Sequence, residues 1–272
     1  VTVKRRRYGS TGHGYAIDGD KIPGVTTILK VVPNDALIGW AAKATAEYAL
    51  DHWDELTAML PSVKLKTLTG ARYETRDAAA RRGTEIHKLG EGLVAGEAVA
   101  VPEEIAGHID AYRAWLDAVE PVPVATELVV ASREHRYCGT SDLIADLPDI
   151  LVDDETIPAC RWLLELKSTA SGVWPESALQ ACAYSRAEMY VHPEHPDDEQ
   201  PMELLGIERC GVVWIKSDTC ELRPVDTGDE VWEFFLHLRW LYDHMEIRNY
   251  KPVLPGHWVG PAASVDLALA AS

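Results

Sequence analysis

The 272-residue chain has few cysteines, no long apolar run and too little positive charge to balance its acids, and each deficit excludes something. The five cysteines, Cys138, Cys160, Cys182, Cys210 and Cys220, are odd in number and widely spaced. A disulfide framework needs even, paired cysteines, so most of these read as ordinary buried thiols. No stretch reaches the roughly 18 apolar residues that could span a membrane, and Val1-Thr2-Val3-Lys4-Arg5-Arg6-Arg7 lacks the apolar segment of a signal peptide. A soluble, cytoplasmic protein with no membrane partner is expected. Lys and Arg number 26 against 43 Asp and Glu, a formal charge of −17, which argues against broad attraction to nucleic acid.

The positive charge that exists is concentrated. Residues 1–30 carry Lys4, Arg5, Arg6, Arg7, Lys21 and Lys30 against only Asp18 and Asp20. A second stretch, from Lys64 through Arg72, Arg76, Arg81 and Arg82 to Lys88, is opposed by three acids. These are the candidates for a surface facing nucleic acid, with Arg81, Arg82 and Lys88 nearest the residues discussed below. The plainer alternative is a solvated tail and an exposed helix face.

A hydrophobic content of 47% is that of a folded globular chain. Gly12, Gly14, Gly19 and Gly24 mark a hairpin or loop over residues 9–25. Asn34-Asp35 predicts a cap for a helix running through Trp40, Tyr48 and Trp53 toward Leu60. Further helical patterns cover about 72–95 and 103–119, the latter with Ile105, Ile109, Tyr112 and Leu116 on one stripe. Strands are predicted at 126–131, 136–145 and 162–167, then a helix at 177–190, an acidic proline-rich loop at 191–202, a hairpin over 207–225 and a helix at 229–247. Trp40, Trp53, Trp115, Trp162 and Trp214 read as core. The order implies one continuous α/β domain with a mixed central β-sheet flanked by helices. Residues 1–120 form an N-terminal hairpin and helical lobe, residues 121–252 the core, and residues 253–272 a tail with little to anchor it.

Polar groups stand out against this apolar framework. Glu165 and Lys167 are two apart in Trp162-Leu163-Leu164-Glu165-Leu166-Lys167, so on a strand both point to one face. Asp142 follows Gly139-Thr140-Ser141 on another apolar segment. Gln180 and Tyr184 are four apart, on one face of a helix, and His87 lies in the helical Gly83-Thr84-Glu85-Ile86-His87. Two carboxylates converging at sheet ends need a cation or a proton to offset their repulsion. Each residue also has a structural alternative: Asp142 a turn carboxylate, Glu165 an ion pair with Arg161, Lys167 an exposed strand lysine, His87 a helix-surface imidazole, Tyr184 a buried ring.

In this order the motifs resemble those of the PD-(D/E)xK nuclease superfamily, in its RecB-like branch, and are especially similar to short phage-type exonucleases. Gly83, Thr84 and His87 match the branch's Gly-Thr-x-x-His, Gly139 and Asp142 its Gly-x-x-Asp, Glu165 and Lys167 its acid-x-Lys strand, and Gln180 and Tyr184 its Gln-x-x-x-Tyr helix. The opening Ile22-Pro23-Gly24-Val25-Thr26-Thr27-Ile28-Leu29 and Ala36-Leu37-Ile38-Gly39-Trp40 extend the likeness, which covers roughly residues 15–190.

The resemblance implies a restriction-endonuclease-like core and a divalent-metal-dependent DNA exonuclease of recombination, repair or DNA processing. Mg²⁺ or Mn²⁺ would be held by His87, Asp142, Glu165 and the Leu166 carbonyl. Lys167, Gln180 and Tyr184 would complete the catalytic set, with Gln180 and Tyr184 over the mouth of the site. DNA is the expected partner, beside a recombination or replication protein. Alternatives are a structure-specific or flap endonuclease, or a non-catalytic DNA-binding or assembly module. The clustered cysteines that the neighbouring CRISPR adaptation nucleases use for an iron–sulfur cluster are missing, so no cluster is expected; the remaining route to one would bring Cys210 and Cys220 together across a hairpin.

Overall fold

The computed structural model of the protein describes residues 3–8, 12–33, 35–170 and 172–245. At the amino end β1 (Val3–Tyr8), β2 (Gly12–Ile17) and β3 (Asp20–Ile22) pair antiparallel in a small sheet. The basic run from Lys4 to Arg7 is therefore a paired strand, not a tail. The short α1 (Val25–Leu29) buries Val25, Ile28 and Leu29.

Next come α2 (Asp35–Asp51), α3 (Trp53–Ala58), α4 (Pro61–Val94) and α5 (Ala106–Val119). The single helix expected as far as Leu60 breaks at His52, which leaves helical geometry with φ −118° and ψ 27°. Its ring stacks on Tyr48 at 4.1 Å. The cap expected at Asn34 lies outside the described residues. Helix α4 begins well before position 72, at Pro61, where the missing proline N–H is no loss. Its 34 residues span about 51 Å.

The large sheet is built from β4 (Val122–Ser132), β5 (Tyr137–Leu147) and, beyond the small hairpin of β6 (Ile150–Val152) and β7 (Glu155–Ile157), β8 (Cys160–Lys167). After α6 (Glu176–Ser185) come β9 (Met189–Val191), β10 (Glu199–Pro201), β11 (Arg209–Ile215), β12 (Cys220–Pro224) and α7 (Asp229–His244). The order is β10-β9-β4-β5-β8-β11-β12. Among the described strands of this sheet, β8 and β11 pair in parallel and the other neighbours antiparallel, the parallel pair joined through α6 as such a pair requires. The result is a mixed α/β fold around a seven-stranded sheet.

Helix α6 stops at Ser185, short of the expected Tyr190, because Met189–Val191 adds to the sheet beside β4, with Tyr190 opposite Val130. The 191–202 loop likewise contains β10, paired to β9. Cys210 and Cys220 sit at opposite ends of the β11–β12 hairpin, since Gly211 faces Pro224 and Ile215 faces Cys220. The end of the last predicted helix and the 253–272 tail lie outside the described residues.

Alternation along β8 divides the core in two. Trp162, Leu164 and Leu166 pack with Leu143 against Ile86 of α4 and Ile109, Tyr112 and Trp115 of α5. Leu163 packs with Leu128, Val130 and Ile144 against α1, α6 and α7, through residues such as Ile28, Leu179 and Phe235. Among the described residues no helix is long and apolar enough to cross a membrane.

Candidate active site

The sheet opens where β5 and β8 part. Their ladder runs from Leu147 opposite Cys160 to Leu143 opposite Leu164 and stops there. Beyond that point β5 stays paired with β4, and β8 with β11. Asp142 and Glu165, the next residues on the two strands, therefore flank the opening. Asp142 Oδ2 accepts the Leu166 backbone N–H at 2.8 Å, a carboxylate standing in for the lost ladder bond.

Two helices close on this opening from opposite faces of the sheet. Helix α4 lies close because Gly90 meets Leu166 and Tyr112; a Cβ there would come within 3.1 Å of Leu166 Cδ2 and 3.2 Å of the Tyr112 ring. One turn earlier on α4, His87 brings Nδ1 to 3.6 Å from Asp142 Oδ2. From α6, Gln180 donates to Glu165 Oε2 at 2.6 Å and to the Tyr184 hydroxyl at 3.1 Å. Lys167 Nζ donates to Gln180 Oε1 at 3.1 Å and to Glu165 Oε2 at 3.4 Å. The period-two spacing of Glu165 and Lys167 and the i,i+4 spacing of Gln180 and Tyr184 thus put four side chains into one hydrogen-bonded set.

Gln180 and Tyr184 are buried beneath the opening, not placed over its mouth. The Tyr184 ring fits because Gly139 has no side chain: a Cβ there would overlap Tyr184 Cε1 and lie 2.8 Å from Cζ. Glu165 makes no ion pair with Arg161, which instead holds Asp146 through two hydrogen bonds of 2.7 and 2.9 Å. Trp115 and Trp162 are core as expected, but Trp40 and Trp53 are exposed.

Glu165 is 1% exposed, and its Oε1 has no hydrogen-bond partner. Burial and the nearby Asp142 charge push its carboxyl up to about 8, against the pull of Lys167. Burial pushes Asp142 up as well, but His87, Lys167 and the Leu166 N–H outweigh it and hold that carboxyl below its ordinary range. At neutral pH and without metal, the two facing carboxyls divide the roles, Asp142 ionised and Glu165 protonated. Because the folded protein binds the Glu165 proton more tightly than the unfolded chain does, this group's contribution to stability is complete below pH 4.5 and lost as pH rises through about 8. Asp142 acts in the opposite sense, its contribution being lost on acidification below pH 3.8. In EDTA the melting midpoint should therefore fall between about pH 5 and pH 8, and Glu165→Gln should flatten that fall. A wild-type midpoint that is level or rises across this window, in calorimetry, would contradict the assignment.

The opening forms the floor of a cleft of about 2060 Å³ that reaches out between α2 and α4. Arg82 and Lys88 line it, while Arg81 is not among the lining residues. Two further contributors come from the amino-terminal hairpin, which the motifs do not cover. Tyr15 on β2 is hydrogen-bonded to Thr140 of β5 at 2.9 Å, and Arg5 on β1 pairs with Glu127 of β4 at 2.9 Å. Tyr15 and Ile17 are two apart, as on one face of a strand, and that spacing is the signal that could have marked Tyr15.

Among the described residues no three His, Cys, Asp or Glu side chains converge as a ready-made metal centre. The donor chemistry nonetheless fits a hard divalent cation: two facing carboxyl groups, one with a buried oxygen lacking any partner, and an imidazole in contact with the other. No protein-family model matches the chain, and no curated protein matches its sequence.

Proposed function

We propose that this protein is a divalent-metal-dependent DNA exonuclease of the RecB-like, PD-(D/E)xK kind. The observation that carries the reading is the hydrogen-bonded set of Glu165, Lys167, Gln180 and Tyr184 at the point where β5 and β8 part, facing Asp142 and His87. A mixed sheet with two antiparallel neighbours and a parallel strand reached through a crossover helix is in keeping with a restriction-endonuclease-like core.

Asp142, Glu165, His87 and the Leu166 carbonyl would hold Mg²⁺ or Mn²⁺, which when bound supplies an activated water and offsets charge on the phosphoryl oxygens. Lys167 brings a fixed positive charge to the floor of the cleft, where an ammonium stabilises charge developing on a phosphate. Gln180 accepts from that ammonium and donates to Glu165, so it sets the spacing between cation and carboxylate. Tyr184 in turn anchors Gln180 from below. His87 attracts Asp142 and helps keep it ionised.

End-labelled linear DNA and closed circular DNA, each incubated with Mg²⁺, Mn²⁺ or EDTA, test the reading. The linear substrate should be degraded from its ends only with metal, and the circle should persist. Cutting of the circle would make the protein an endonuclease. Failure of the folded protein to cut either DNA in both metals would leave a DNA-binding module.

A further inference from the structure

We propose that the cleft receives single-stranded DNA, with unpaired bases stacking on Trp40, Tyr73 and Trp174 as one phosphate backbone follows α4 down to His87. The inference rests on the nuclease reading and specifies its substrate. Three rings from three separate segments line the same cleft: Trp40 from α2, Tyr73 from α4, and Trp174 from the turn ahead of α6. Each is well exposed, at 37%, 44% and 45%. Large aromatic surface left in a cleft costs solvation unless a ligand covers it. A nucleobase offers such a cover only when it is out of the duplex, where both of its faces are free.

The charges point the same way. Along α4, Arg72, Arg76, Gly83 and His87 fall on one helical face, a stripe of about 22 Å that leads from the outer cleft to the floor. Arg82 and Lys88 border it. The stripe's two arginines lie in a single line that leads to the open Gly83 and His87 end, suited to one backbone. Six Lys and Arg line the cleft against five Asp and Glu, and Arg5 and Arg76 are already paired with Glu127 and Asp77. A duplex presents a negative charge every 1.7 Å or so of its axis, twice the density along either strand, and would meet both this near balance and a chain of formal charge −17. Attraction to phosphate alone is therefore weak, and stacking has to supply the remainder. At the outer end the Arg72 and Arg76 guanidinium groups lie over the Tyr73 ring, 4.6 and 5.1 Å from its centre, which joins cations and an aromatic ring at one point of the cleft wall.

The test is fluorescence anisotropy of labelled oligothymidylate and of a blunt duplex of equal length, titrated with the full chain in EDTA so that nothing is cut. The single strand should bind at least about tenfold more tightly. Trp40→Ala and Trp174→Ala should each weaken single-strand binding by about fivefold or more, and leave duplex binding unchanged. Trp40→Phe should restore most of the loss, which separates stacking from damage to the fold. Trp240→Ala, which removes an exposed tryptophan outside the cleft lining, should bind like wild type. Equal affinity for duplex and single strand, or alanine variants that bind like wild type, would overturn the inference. If linear DNA is still degraded with Mg²⁺ in that case, the nuclease reading stands without it. Absence of both binding and cleavage overturns the two together.

Discussion

Glu165→Gln should lose DNA cleavage by roughly 10³-fold or more, the scale on which removing one member of a jointly acting catalytic set is felt. The fold should survive. Glutamine has the shape of a protonated glutamate, and its carbonyl oxygen can still accept from Gln180 and Lys167, as Glu165 Oε2 does. Its amide takes the place of Oε1, which has no partner to lose. Below about pH 4.5 the variant should melt within about 1 kcal/mol of wild type, because the wild-type carboxyl is then protonated in the folded and the unfolded chain alike. At pH 7 it should be the more stable protein, since the unfolded wild-type chain gains by ionising this carboxyl while the folded protein holds its proton, and the variant has no such group.

Function and stability thus move in opposite directions at this position. Thermal melts and end-labelled digestion of the same preparations check both parts. Wild-type cleavage by a folded Glu165→Gln protein would remove Glu165 from the site. Loss of activity together with collapse of the fold would make the residue structural.

Periodicity made part of this site legible. A spacing of two on a strand and of four on a helix depends only on local geometry, and Glu165 with Lys167 and Gln180 with Tyr184 meet as that geometry requires. Their depth did not follow from spacing. Whether Gln180 and Tyr184 sit above the site or beneath it depends on Gly139, a residue on a different strand that is opposite Val130 and leaves a hole under the ring. The parting of β5 and β8 was equally hidden, because both strands continue past Asp142 and Glu165, each held by its other neighbour.

Helix ends failed where a non-local partner decided them. The pattern through Ala187 and Tyr190 suits a helix as well as a strand, and pairing with β4 settles it. Residue type places Trp40 and Trp53 in the core, but α2 and α3 present them at the surface. Hydrophobicity alone does not say whether a ring is covered by the chain or by something that binds to it. The sequence predicts a hairpin or loop over residues 9–25 but not its reach: Tyr15 of that hairpin meets Thr140, two residues from Asp142.

Gly139→Ala should be the most disruptive single-methyl addition near the site. The new Cβ would overlap Tyr184 Cε1, with Cζ at 2.8 Å and Cδ1 at 2.9 Å. Tyr184 is 2% exposed and closely surrounded, so the ring has no rotamer to retreat into without moving Gln180, to which it is hydrogen-bonded. Overpacking of this kind costs about 1–3 kcal/mol, occasionally more. Displacement of Gln180 would also loosen Glu165 and Lys167, so cleavage should fall along with stability. Tyr184→Leu in the same chain removes Cε1 and Cζ but leaves a branch near Cδ1, and should relieve most of the clash. The double variant should then be less destabilised than the sum of the two single changes, by more than the roughly 0.5 kcal/mol expected of independent sites. Urea denaturation of the four proteins gives the coupling directly. Strict additivity would mean that the Tyr184 ring is not what Gly139 accommodates, and that the burial of Gln180 beneath Glu165 has another cause.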